Sequence, residues 1–259
     1  MYSPEKGFEI SYEISGQPNA PKMVLIHGLF LNGDCWRDQL PAFESSFSVL
    51  RYDLRGHGRT TKPKKRFTIR NYVDDLHSLL NHLNWTEELY LIGHSLGGMI
   101  ALVYGLENPS HVKKMVVADS FCFISQEAIT DVLGRVNSSK IEDFARGISV
   151  RGLSPFNEKT ASFVSKLVTD HMTKSDCLRA TAASTGFNIC ENLKSLNIPV
   201  LIIVGKKDIT TPVWASEMIH EWLPNSKLVI MPEAGHLTIF DHSKEFNDLV
   251  LNFWEHKKK

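Results

Sequence analysis

The hydrophobic pattern of this chain predicts an α/β fold: a mostly parallel, doubly wound sheet with a block of helices inserted after the sixth strand. Three observations predict it. Short apolar runs alternate with helical runs from the N-terminus to about residue 121, and again from Ile198 onward. That is the pattern of parallel strands covered by helices on both faces. Between roughly Cys122 and Thr185 the alternation stops and only amphipathic helical runs remain. Finally, Gly93-His94-Ser95-Leu96-Gly97 joins an apolar run to a helical one. Strand, G-x-S-x-G and helix in that order describe a tight reversal with the serine at its apex.

The elements follow in order. Phe8, Ile10, Tyr12 and Ile14 alternate with polar residues, which predicts one half-exposed antiparallel strand. Residues 16–21 form a turn, 23–26 a buried strand ending at His27-Gly28, and 35–43 a short helix. Residues 47–51 read as a strand ending at Asp53, and Tyr72, Leu76, Leu79, Leu80 and Leu83 recur at helical spacing. Residues 89–92 are the strand before the serine and 99–106 the helix after it; 115–118 is a strand ending at Asp119. Helical runs at 128–136, 141–148, 160–171 and 176–183 fill the interruption. Strands at 200–205 and 228–231 then alternate with helices at 212–223 and 243–254. The expected division is a core of residues 1–121 and 185–259, with a helical cap at 122–184 that roofs the carboxyl ends of the strands.

Composition narrows the function. The formal net charge is +0, so nothing draws the chain to nucleic acid or an anionic membrane surface. The basic end Lys257-Lys258-Lys259 is too short to change that and reads as a solvated tail. No apolar run approaches the roughly 20 residues that span a bilayer, and no leader-like segment opens the chain. Cys35, Cys122, Cys177 and Cys190 are far apart and show no metal-ligand spacing. They read as free thiols in a reducing compartment, and the expected location is the cytoplasm.

The serine motif sets the chemistry. A serine hydroxyl is a weak nucleophile that needs a base, and the base needs an acid to orient it. Asp208 follows the strand at 200–205 and His236 follows the strand at 228–231. Both lie beyond the carboxyl end of a strand, the edge where open α/β sheets place ligands. Asp119 also sits at a strand end and competes with Asp208 for the acid's place. His94 flanks the serine and packs beneath it; His27 and His57 are expected to be structural.

Together, His27-Gly28, the run Tyr52-Asp53-Leu54-Arg55-Gly56-His57-Gly58, Gly93-His94-Ser95-Leu96-Gly97-Gly98, Asp208 and Gly235-His236 resemble the α/β-hydrolase superfamily from end to end. The nearest likeness is to its small-capped carboxylesterases, enol-lactonases and cofactor-free haloperoxidase-like enzymes. The resemblance implies Ser95 as nucleophile, His236 as general base, Asp208 as orienting acid, and an oxyanion hole from the N–H groups of Leu29 and Leu96. It implies hydrolysis of a small to medium carboxylic ester through an acyl-enzyme, with no metal or organic cofactor. Phe30, Phe121, Phe123, Ile209 and Leu237 are the expected pocket residues. Lactone hydrolysis is the alternative within the class; a carboxylated lactone would want a cation, for which the cap offers Arg135, Arg146, Arg151 and Arg179. A ligand receptor built on the same fold is the alternative from another class. A small-molecule substrate is the only partner expected, and the sequence is silent on oligomeric state.

Overall fold

The N-terminal alternation resolves into three short strands rather than one: β1 (Tyr2–Glu5), β2 (Phe8–Ile10) and β3 (Tyr12–Gly16). The structure, a computed structural model, describes residues 1–255; His256 and the tail Lys257-Lys258-Lys259 lie outside the described residues. β1 and β2 pair with each other, antiparallel, apart from the main sheet. The chain changes partner at Ser11, whose N–H donates to Thr60 Oγ1 (2.9 Å) and whose carbonyl accepts from Asp53 N (2.9 Å).

The first half of the core continues with β4 (Lys22–Ile26), α1 (Leu40–Phe43), β5 (Ser48–Tyr52), α2 (Ile69–His82), β6 (Leu89–His94), α3 (Leu96–Glu107) and β7 (Val112–Ala118). The single helix expected at 35–43 is instead a 3₁₀ turn, Gly33–Trp36, followed by α1. Pro41, in the first turn of α1, has no N–H with which to continue a helix through that point. α2 begins at a capping box, in which the Thr68 and Asn71 side chains and backbones satisfy each other.

Four helices separate β7 from the next strand: α4 (Gln126–Ser138), α5 (Ile141–Gly152), α6 (Glu158–Thr169) and α7 (Lys174–Ala182). Then come β8 (Val200–Gly205), α8 (Val213–Trp222), β9 (Ser226–Met231), α9 (Thr238–Asp241) and α10 (Ser243–Glu255). The helical insertion follows β7, the seventh strand in chain order rather than the sixth. No helix among the described residues is long and apolar enough to cross a membrane.

The main sheet has the order β3-β5-β4-β6-β7-β8-β9. β3 is antiparallel to β5 and the other neighbours are parallel. Strand residues alternate between two cores. Val24, Leu91, Val117 and Ile202 pack with α2 and α3 on one face. Leu25, Ile92, Val116 and Ile203 pack with Trp36 and with Phe246 of α10 on the other. Both faces are therefore buried, as continuous apolar strand runs require. From β4 the chain steps outward to β5, then crosses back to place β6 on the other side of β4. Such a reversal opens a crevice beyond the carboxyl ends of β4 and β6, where ligands bind in open α/β sheets.

The insertion has its own small core, in which Val136, Phe144, Val168, Met172 and Cys177 pack with Phe30 from the β4 loop. The two ends of the insertion are joined. Phe123 and Asn188 form a β-bridge, Ile189 N donates to Cys122 O (2.9 Å), and Cys122 is disulfide-bonded to Cys190. This corrects the expectation of free thiols for that pair, whose 68-residue separation left no local spacing signal. Cys35 and Cys177 are free and buried. The reducing-compartment reading, which rested on unpaired cysteines, loses its basis.

Candidate active site

The loop after β6 puts Ser95 at the crevice. Ser95 has φ 53° and ψ −115°, a left-handed conformation that a side-chain-bearing residue adopts only when its surroundings enforce it. They do so here. Ser95 N–H donates to Ala118 O (2.8 Å) and Ser120 Oγ donates to Ser95 O (2.7 Å). The flanking glycines permit the close approach. A Cβ on Gly93 would overlap the backbone of Gly97, and a Cβ on Gly97 would overlap the carbonyl of Ile26 in β4.

His236 lies in the loop between β9 and α9, and its Nδ1–H donates to Asp208 Oδ2 at 2.8 Å. A carboxylate only accepts, so this bond places the ring proton on Nδ1 and leaves Nε2 as the acceptor. Asp208 is itself held. Its Oδ1 accepts from Thr210 N (2.7 Å) and Thr211 N (2.8 Å), and its Oδ2 from Thr211 Oγ1 (2.5 Å). Burial alone would raise the Asp208 carboxyl. The His236 charge and these hydrogen bonds outweigh it and hold the group below the usual carboxylate range.

Asp119 does not reach His236. Its carboxylate accepts from Gly205 N (3.1 Å) and Thr238 Oγ1 (2.5 Å), tying the end of β7 to the loops that carry Asp208 and His236. Full burial, with the negative charge of Asp208 nearby, pushes the Asp119 carboxyl well above its ordinary range. His94 Nε2–H donates to the His236 carbonyl (2.9 Å), and burial pulls the ring down to about 3, keeping it neutral. His27 is structural as expected: Nδ1–H donates to Gly28 O (2.8 Å) and Nε2 accepts from Leu54 N (2.9 Å). Asp53 secures the adjacent loops by accepting from Gly33 N and Arg59 N, both at 2.7 Å.

Ser95 and His236 line one cavity of about 200 Å³. A second lobe of about 230 Å³ shares Ser95, Leu29, Val132, Arg135, Arg151 and Thr210 with the first. Ser95 Oγ has no hydrogen-bond partner among the described residues; such contacts commonly tighten only when substrate binds. The N–H groups of Leu29 and Leu96 have no acceptor among the described residues either, and both residues line the second lobe. Leu96 N–H opens α3, where the helix dipole favours negative charge.

Of the expected pocket residues, Phe30 and Leu237 line the first lobe, and Phe121 and Ile209 the second. Phe123 lines neither. Its backbone is held in the bridge to Asn188 at the neck of the insertion, and the residue stays 37% exposed. Sequence reasoning offered Arg135 and Arg151 among four cap arginines but did not say which face inward, and it did not place the apolar residues of α4 and α5. Val132 and Arg135 on α4, with Phe144, Ile148 and Arg151 on α5, form much of the roof. A signal for them existed. Residues 128, 131, 132 and 135 recur at i, i+3, i+4 and i+7, as do 144, 147, 148 and 151, so each set shares one helix face.

Comparison with known proteins agrees with this architecture. The family model described as the alpha/beta hydrolase fold matches residues 21–149, and a second family model, described as TAP-like protein, matches residues 165–258. The chain belongs to the α/β-hydrolase superfamily. It is 26% identical to 3-oxoadipate enol-lactonase 1 of Acinetobacter baylyi, over 98% of this chain and 96% of that protein. It is also 26% identical to the pimeloyl-[acyl-carrier protein] methyl ester esterase of Hamiltonella defensa, over 90% of this chain and 92% of that one. Among solved structures, the bromoperoxidase of Bacillus anthracis aligns with a TM-score of 0.88 at 26% identity, covering 96% of each chain.

Proposed function

We propose that this α/β-hydrolase cleaves carboxylic esters of small to medium size through an acyl-enzyme on Ser95. The observation that carries this reading is the 2.8 Å Asp208–His236 contact at the edge of a cavity that Ser95 also lines. In the first step Ser95 Oγ attacks the ester carbonyl and its proton passes to His236 Nε2. The carbonyl oxygen takes up negative charge between the N–H groups of Leu29 and Leu96, donors worth about 3 kcal/mol each in such sites. The ester bond breaks and the alcohol leaves with the proton from His236. Water then attacks the acyl group, giving a proton to His236, and collapse of that adduct frees the acid and restores Ser95.

The four-helix insertion serves as the cap over this chemistry. Its helices α4 and α5 line both lobes through Val132, Arg135 and Arg151, so the acyl and alcohol portions can divide between the two lobes beside Ser95. Lactone hydrolysis is the second reading. The same steps open a ring when the leaving alcohol stays tethered to the acyl group, and a lactonase is among the relatives.

Initial rates on p-nitrophenyl esters from acetate to octanoate, for the wild type and Ser95→Ala, test the proposal. Turnover that the substitution lowers by roughly 10⁴-fold or more is expected. Turnover that survives the substitution overturns the assignment of Ser95.

A further inference from the structure

We infer that Arg135 and Arg151 form an anion subsite, and that the substrates of this site carry a carboxylate away from the bond that is cut. The inference rests on the hydrolase reading above and names its substrate class.

Four arginines belong to the insertion, and they divide cleanly. Arg146 is on the outside in a two-pronged pair with Glu158 (2.8 and 2.9 Å). Arg179 is occupied by Asp176 and Ser175, both at 2.6 Å. Arg135 and Arg151 instead line both lobes, together with Ser95, Leu29, Val132 and Thr210. They stand where the lobes meet at the nucleophile.

Neither has all its donors engaged by protein groups: the Nε of Arg135 is buried, whereas Arg151 is exposed to solvent. Arg135 touches Asp131 on its own helix (3.2 Å), but its Nε is buried without an acceptor. Arg151 has no ion-pair or hydrogen-bond partner among the described residues. Asp143 lines the first lobe but pairs with neither arginine. A buried N–H without an acceptor carries a desolvation cost that a ligand oxygen removes. The two cations also repel. Burial, and next the charge of Arg151, lower the Arg135 guanidinium from its ordinary value. One anion between them relieves both conditions.

The rest of the cavity decides what kind of anion. The lobes are otherwise mainly apolar, with Phe30, Phe144, Ile148 and Leu237 in one and Met99, Phe121, Ile124 and Ile129 in the other. A short hydrocarbon ending in a planar carboxylate fits such a surface, because a guanidinium offers paired N–H donors at matching spacing. The class is half-esters of dicarboxylic acids, together with lactones that bear a carboxylate arm.

Two measurements test the subsite. The first compares kcat/KM for monomethyl adipate and methyl hexanoate, of equal acyl length, by proton release. The wild type is expected to favour the carboxylated ester. Arg135→Gln and Arg151→Gln are each expected to lower the ratio of the two by roughly 10- to 100-fold, with partial rescue by lysine. The second is calorimetric binding of adipate and of hexanoate to Ser95→Ala, which needs no turnover. Adipate is expected to bind more tightly, and the added Gln substitutions to abolish the difference. Equal binding of the two acids overturns the subsite whatever the rates show. Preferential adipate binding without turnover of either ester retains the subsite and refutes the hydrolase reading instead.

Discussion

Replacing Asp208 by asparagine asks the structure which way an amide must sit. The Oδ1 position accepts two backbone N–H groups, from Thr210 (2.7 Å) and Thr211 (2.8 Å). Only an oxygen satisfies both, so the amide oxygen takes that place and the NH₂ takes the place of Oδ2. It then faces His236 Nδ1, 2.8 Å away in the parent. An NH₂ donates, so Nδ1 must become the acceptor and the ring proton must move to Nε2. The nitrogen that should receive the Ser95 proton is then already occupied. Loss of the general base in this way costs roughly 10³- to 10⁴-fold in kcat, about 4 to 5.5 kcal/mol of barrier. Asp119→Asn should behave differently. Its carboxyl contacts Gly205 N and Thr238 Oγ1 rather than His236, and its raised range makes a neutral amide a close substitute. Less than about a tenfold loss is expected there. The assay is kcat on a p-nitrophenyl ester for both variants, with thermal melting to confirm folding. An Asp208→Asn enzyme within tenfold of wild type, beside a crippled Asp119→Asn, would refute the reasoning and pass the acid's role to Asp119.

Two further outcomes are expected. Asp241 accepts from Ser154 N (2.9 Å) and Gly235 N (3.0 Å), and burial pushes its carboxyl from 3.8 up to about 6. The folded state therefore holds the extra proton between about pH 4 and pH 6. The stability this gives is full below the unfolded value and is lost as pH rises through about 6. An amide in this place does not titrate, so the melting temperature of Asp241→Asn relative to wild type should climb from pH 4 to pH 7, by the equivalent of at most about 3 kcal/mol; a constant difference would count against the shift. The Cys122–Cys190 bond closes a 68-residue separation, so Cys122→Ser with Cys190→Ser should lose about 2 to 4 kcal/mol. Thiol titration of the denatured, unreduced wild type should find only Cys35 and Cys177; four reactive thiols would remove the bond.

Features set by short-range pattern were legible in the sequence. The strand runs of β4, β6, β7 and β8 are apolar on both faces because both faces are covered, and that shows in consecutive residues. The serine turn was legible because its geometry tolerates nothing larger than glycine at 93 and 97. Asp208 and His236 could be placed because each follows a recognisable strand. What depended on distant chain was not legible. Ser11 breaks the N-terminal strand because Thr60 and Asp53 meet it there. Phe123 leaves the pocket because Asn188 pairs with it, and Cys122 finds Cys190 across the whole insertion.

The cap helices show a subtler limit. An amphipathic helix is read from one apolar stripe facing one core, but α4 and α5 each serve two surfaces. Val136 is buried in the insertion's own core, Val132, Phe144 and Ile148 border both that core and the cavity, and Arg135 and Arg151 line the cavity. On a helix with a single buried face, Arg135 and Arg151 are errors in the stripe, charges at spacings i+3 and i+7 from apolar neighbours (Val132 and Ala128, Ile148 and Phe144). A local rule broken in this way marks a functional position more often than a poor sequence. The pairing of Arg146 with Glu158 obeys the rule, on the solvent side, and sets the contrast. Arginines that interrupt the apolar face of a cap helix are therefore the ones to test for substrate contact, and those on its polar face are not.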